Sequence, residues 1–214
     1  ELYSDYKIPF WMNTRAETIN EYRAAGLEEM NMLRMNIGIE HGNYDYRRKY
    51  LKRNVKDEVQ IRAFEIAAEH KYASCANSII GMPDETRELI FDTINFVRKL
   101  PDSIDATGAF IFAPYHGTPL RTLAIEKGYI KEDEICSLSN TSASMLNMPT
   151  ISKEEISGLA KVFSLYIKFP KERWPEIKIA EKSDKEGNLM MSKLGEEFDK
   201  TYRQFKATAL DLHD

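Results

Sequence analysis

The chain has 214 residues, 43% of them hydrophobic, enough to bury a core for one domain, or for one domain with an appendage. Its 30 Lys and Arg against 34 Asp and Glu give a net charge of -4 with no basic run, which argues against nucleic acid as a partner, and no apolar run reaches the ~18–20 residues that span a membrane. The N-terminus shows no basic-then-apolar signal pattern, and Cys75 and Cys136 make no disulfide framework or zinc motif, so a reducing, cytoplasmic setting is the expectation.

Residues 7–13 are short, apolar and aromatic and read as a strand. Thr14 and Glu17 have capping-box spacing, so a helix is expected after them with Ile19, Tyr22, Leu27 and Met30 on its apolar face. Gly26 weakens that helix by about 1 kcal/mol, and Asn31 suits a left-handed stop. Residues 32–39 form the next strand. Helices over 44–52 and 56–70 follow, the second with Val59, Ala63, Ile66 and Ala67 on one face and His70 at its end, where a cation suits the dipole. A strand over 72–80 ends at Gly81 and Pro83. The helix over 84–100 carries Ile90, Ile94 and Val97 on a core stripe and stops before Pro101. A strand over 104–113 closes at Pro114, and Thr118 with Pro119 starts a short helix that Gly128 ends.

Each interval between strands holds enough residues for a helical crossover, so the sheet is expected to be parallel. The strands read as apolar on both alternations, as in a sheet covered on both faces or curled into a barrel. Four strands are too few to close one. Past residue 130 the pattern changes. Residues 131–148 are polar and rich in Ser and Asn; Ser152 and Glu155 form a second capping box ahead of a stripe of Ile156, Leu159, Ala160, Phe163 and Ile167. Pro170 and Pro175 bracket a short piece, 183–188 reads as a solvated loop, and a last helix runs from about 190 to 207. The expected division is 1–130, an α/β unit, and 131–214, a helical extension.

In parallel α/β sheets, ligands sit at the carboxyl ends of the strands. Four such ends combine polar groups with Gly or Pro: Asn13 and Arg15; Glu40, His41, Gly42 and Asn43; Asn77 through Gly81 and Pro83; and Ala113 through Tyr115, His116 and Pro119. Each has a plainer reading as well. Asn13 and Arg15 suit a turn and a surface cation, Glu40 a solvated strand-end carboxylate, and Gly81 to Pro83 a simple strand-to-helix turn. Asn77, inside an apolar strand, needs a hydrogen-bond partner, and a neighbouring backbone serves as well as a ligand. Neither His41 nor His116 has Cys or His neighbours at metal spacing, so no metal site is expected, and Cys75 suits a buried small hydrophobe.

Taken together, four phrases resemble the radical S-adenosylmethionine (radical SAM) superfamily: Asn-Thr-Arg-Ala-Glu at 13–17, Ile-Gly-Ile-Glu-His-Gly-Asn at 37–43, Ile-Ile-Gly-Met-Pro-Asp-Glu-Thr at 79–86, and Phe-Ala-Pro-Tyr-His-Gly-Thr-Pro-Leu at 112–120. Their order is similar to strands three to six of that barrel, over roughly residues 7–128, and the first and last look most like the branch with a cobalamin-binding domain. The resemblance implies a partial TIM-like (β/α) horseshoe barrel. It implies SAM held by Glu40, Arg53 (against its carboxylate), Asn77 (at the ribose), the Gly81–Pro83 turn, the backbone of Ile111, Phe112 and Ala113 (at the adenine edge) and Arg15, with Asn13, Tyr115 and His116 on the substrate side. It further implies a 4Fe-4S cluster and possible use of cobalamin, with reductive cleavage of SAM to a 5′-deoxyadenosyl radical. The family's Cys-x3-Cys-x2-Cys cluster motif and its glycine-rich second strand are absent from this sequence, and His41 stands where the family usually has Ser. The expectation is therefore a domain fragment whose partner is the N-terminal half of the barrel, acting on an unidentified small molecule. The alternatives are a metal-free α/β enzyme that uses Glu40, Arg53 and His116 on a phosphorylated or carboxylated substrate, or a non-catalytic scaffold.

Overall fold

The computed structural model describes residues 6, 8–105, 108–136 and 143–202. Four strands, β1 (Phe10–Arg15), β2 (Met32–Glu40), β3 (Ala73–Ile80) and β4 (Phe110–Ile111), lie in the order β1-β2-β3-β4, and every adjacent pair is parallel. Helices α1 (Glu21–Glu29), α2 (Tyr44–Tyr50) with α3 (Asp57–Ala68), and α4 (Arg87–Val97) make the crossovers, and α5 (Pro119–Glu126) follows β4. The parallel sheet is the one that the alternation of patterns predicts, and the architecture is the partial (β/α) barrel that the resemblance implies.

Beyond it run α6 (Lys153–Lys168), α7 (Trp174–Ala180) and α8 (Lys185–Thr201). The α6 start is a true capping box: Ser152 accepts from the Glu155 N–H while the Glu155 carboxylate accepts from the Ser152 N–H. Helix α6 packs on α4 and β4, and one continuous core runs from Met35, Ile37 and Ile39 of β2 through Ile90 and Ile94 of α4 to Leu159, Phe163 and Ile177 of the extension.

Several local expectations are corrected. Thr14 and Glu17 do not cap a helix. Pairing with β2, through Thr14 with Ile37 and Arg15 with Gly38, keeps Thr14 extended; a single 3-10 turn follows at Ala16–Thr18, and Asn20 caps α1 by accepting from Arg23 N–H. Tyr22, placed on the apolar face, is 89% exposed, and Val59 of α3 is 44% exposed. The fourth strand is two residues long, with a lone bridge between Cys75 and Asp105 preceding it; residues 106 and 107 lie outside the described residues, as do residue 7 of the first expected strand and residues 203–207 of the last expected helix. The loop expected at 183–188 is mostly helix, because Asp184 accepts from Gly187 N–H at 2.8 Å and starts α8 at Lys185. Asn31 does take the left-handed conformation, with φ 65°.

The sheet itself is not apolar on both faces. In β2, Met35, Ile37 and Ile39 are fully buried, while Arg34, Asn36, Gly38 and Glu40 alternate with them, half-buried on the opposite face. A period of two with one polar side means that the inner face of the half-barrel is wet.

Candidate functional site

A cavity of about 690 Å³ opens at the carboxyl ends of the strands, within the size range of small-molecule sites. Parallel register builds its wall: Asn13 of β1 lies beside Asn36 of β2, Gly38 beside Asn77 of β3, and Ile80 beside Ile111 of β4. Of the expected residues, Asn13, Glu40, Asn77, Ile111, Phe112, Ala113 and Tyr115 line it, whereas Arg15, Arg53, Gly81 and His116 do not.

Glu40 reaches this wall from a residue with φ 65°. Burial pushes its carboxyl above the ordinary value, against the pull of Arg53 and Arg15. Gly38 makes room for it, since a Cβ there would lie 2.5 Å from Glu40 Oε1. Arg53 sits behind the wall with its side chain 8% exposed. It donates to Gly38 O at 2.7 Å and to Glu17 Oε2 at 3.0 Å, and lies 3.6 Å from Glu40 Oε1. Its guanidinium thus braces the wall from outside, and Lys52 is the cation that lines the cavity among the described residues. Sequence reasoning missed Lys52 because it sat next to the more eye-catching Arg53.

On the far wall, the Phe112 N–H donates to Ile80 O at 2.8 Å and Ala113 O accepts from Tyr115 N–H at 2.9 Å, so this irregular stretch continues the strand before turning into α5. Arg121 of α5 holds the turn by donating to Pro114 O at 2.9 Å.

His41, expected on the rim, is fully buried. Its Nδ1 accepts from Asn43 N–H, its ring stacks on Tyr46 at 4.2 Å, and its Nε2 lies 3.0 Å from Glu85 Oε1, close but too poorly aligned for a hydrogen bond. Glu85 Oε2 accepts from the Gly81 and Met82 N–H groups. The Gly-Met-Pro-Asp-Glu phrase is therefore a self-bonded turn, with Gly81 at φ 80°, that fixes the end of β3. Next to it Asp84, at φ 62°, accepts from Tyr50 and Tyr129 hydroxyls at 2.7 Å and Lys127 Nζ at 2.6 Å. Burial raises its carboxyl, but these three donors outweigh it and hold the pKa at about 2. That cluster fastens α2, the β3–α4 turn and the end of α5 around the cavity mouth.

Sequence reasoning also missed Asn36. Its signal was present in the alternation Arg34, Asn36, Gly38, Glu40, which places it on the same face as Glu40.

A profile of the Radical SAM superfamily matches residues 2–97, which include β1, β2, β3 and the helices between them. A curated relative, an uncharacterized methyltransferase of Pyrococcus horikoshii, is 31% identical over 118 residues, 55% of this chain and 25% of that protein. The chain thus spans about a quarter of the length of the curated relative it matches. Two structures of TsrM from Kitasatospora setae, a radical S-adenosylmethionine methyltransferase, match at 19% identity and a TM-score of 0.45, over 56% of this chain and 23% of theirs. One carries tryptophan substrate and the SAM analogue aza-SAM, the other cobalamin and a 4Fe-4S cluster.

Proposed function

We propose, from the match of residues 2–97 to the radical SAM superfamily, that this chain is the SAM-binding wall of an enzyme that cleaves SAM reductively, with cobalamin-dependent methyl transfer the favoured reaction class. The observation that carries it is the convergence of Glu40, Asn77 and the Ile111–Ala113 segment on one cavity at the carboxyl ends of parallel strands.

The donor set suits a ligand that is cationic at one end and polar at the other. Glu40, whose charged form is disfavoured by burial, gains most from a cation placed beside it, as a sulfonium or an α-amino group would be. Asn77 offers amide chemistry to hydroxyls, Lys52 a charge to a carboxylate, and Phe110 and Phe112 an apolar flank to a purine. A 4Fe-4S cluster fits less well. The chain has two cysteines, Cys75 buried in β3 and Cys136 past α5, and among the described residues no three His, Cys, Asp or Glu gather as a metal site. In this reading the cluster's ligands belong to the N-terminal half of the barrel, and the residues here bind SAM, orient it and shield it from water.

The protein expressed from its complete gene without oxygen should release 5′-deoxyadenosine or S-adenosylhomocysteine from SAM in the presence of a reductant. The isolated chain should respond to S-adenosylhomocysteine at the backbone amides of Gly38, Asn77 and Ala113 in heteronuclear NMR spectra. Silence in both experiments ends the proposal. Among the described residues no helix is long and apolar enough to cross a membrane; a cytoplasmic location is part of the proposal, since oxygen-sensitive chemistry needs a reducing compartment.

A further inference from the structure

We infer that a side-chain relay of fixed polarity, Asp105–Arg34–Asn36–Asn13, presents the Asn13 amide as a hydrogen-bond donor to the cavity, so that the site takes a ligand group with an acceptor oxygen, a carbonyl or carboxylate, at that point. The inference deepens the reading above and rests on it only for the cavity being a ligand site.

Polarity is set at the Arg34 end. A guanidinium has donors only and stays charged at any ordinary pH. Arg34 Nη2 donates to Asp105 Oδ2 at 2.6 Å, which fixes the guanidinium on the inner face of β2. Arg34 Nε donates to Asn36 Oδ1 at 3.3 Å, and Cys75 Sγ donates to the same oxygen at 2.7 Å. The thiol also lies 3.6 Å from Asn77 Oδ1 and can donate or accept, so it is the Arg34 donor that requires this atom to be the amide oxygen and the Asn36 nitrogen to face the other way. It does, donating to Asn13 Oδ1 at 2.9 Å. That contact in turn assigns the second amide: Asn13 has its oxygen toward Asn36 and its NH2 away from it. Asn13 is exposed and lines the cavity, and among the described residues no protein group accepts from its nitrogen. Neither amide can flip without setting an N–H against a donor. An oxygen acceptor meeting Asn13 therefore finds an amide already turned toward it, which saves the reorganisation a free amide would need.

The test inverts the polarity at constant shape. In the chain labelled with 15N-asparagine, the Asn13 side-chain amide pair, identified by its loss in Asn13→Ala, is followed during titration with acetate, acetamide and methylammonium. The wild type should respond saturably to acetate and acetamide and not to methylammonium. Asn36→Asp puts an oxygen where the nitrogen was, so Asn13 must turn its NH2 to it and show its own oxygen to the cavity. The affinity for acetate should then fall roughly tenfold or more and a response to methylammonium appear. Asn13→Asp, at an exposed position that tolerates change, should produce the same reversal, read on the backbone amides of residues 13 and 14, and decides the matter if Asn36→Asp does not fold. An Asn13 pair indifferent to both oxygen probes, or a probe preference unchanged in the folded variants, overturns the relay. Titration with S-adenosylhomocysteine separates the two claims. Shifts at Gly38 and Asn77 with no acetate effect at Asn13 sink the relay alone; an acetate effect at Asn13 with no such shifts, together with no release of 5′-deoxyadenosine or S-adenosylhomocysteine, sinks the SAM reading alone.

Discussion

Single side chains decide how firmly the strand ends are held. Glu85 is fully buried and satisfies two backbone N–H groups of the β3–α4 turn. Truncation by Glu85→Ala leaves both N–H groups without a partner in a dry site and is expected to lower stability by about 3 kcal/mol, measured by urea denaturation. Asp84 works through charge. Its carboxyl is depressed, so the unfolded chain takes up its proton first as the pH drops. The stability it contributes is whole above its ordinary pKa of 3.8 and is lost as pH falls through about 2. Asp84→Asn keeps the left-handed backbone, which Asn tolerates, and loses the ionic partner of Lys127. It should lower stability at pH 7 by about 1 kcal/mol, and the difference from wild type should shrink in melts between pH 4 and pH 2. At this scale the sequence was a partial guide. It marked Glu40 and Asn77 through their positions at strand ends, but it placed His41 on the rim, whereas stacking on Tyr46 draws that ring into the core.

Among the elements, α6 ties the extension to the barrel. Its apolar stripe at i, i+3, i+4 and i+7 and its capping box were plain in the sequence, and both are formed. Helix–helix contact depends on a residue the pattern does not mark. Gly158 lies against the end of α7, where a Cβ would sit 2.7 Å from Glu181 O. Glu181 is itself pinned by Arg87 Nη1 at 2.9 Å and Tyr166 Oη at 2.5 Å, so it cannot give way. Gly158→Ala is therefore expected to destabilise by about 2 kcal/mol despite its better helix propensity, with a fall in melting temperature as the readout. A rise would mean that α6 and α7 slide apart at no cost. Asn20 and Asp184 show the reverse case. Both are ordinary cap residues at legible positions, and each moved a helix start from where it was expected, after the capping-box spacing at Thr14 for α1 and at about residue 190 for α8.

For the molecule as a whole, the core is shared. Leu146, Ile156, Leu159 and Phe163 belong to the same buried cluster as Ile80, Ile94 and Ile111 of the barrel part. A chain cut at residue 130 loses that cover over β4 and α4, so it should show no cooperative thermal transition by circular dichroism, whereas the full chain melts in one. A sharp melt of the 1–130 piece would show instead that the half-barrel has a sufficient core of its own.

The sequence by itself determined the alternation of strands and helices, the parallel sheet, the helical extension and the four polar strand ends, because these follow from local periodicity, capping and turn chemistry. Tertiary structure alone decided that Arg53 turns behind the wall while Lys52 faces the cavity, and which way the Asn13 and Asn36 amides point. Those choices rest on partners 15 to 71 residues away along the chain, from Arg53 with Gly38 to Arg34 with Asp105. A hydrogen bond assigns donor and acceptor only once both its ends are in place.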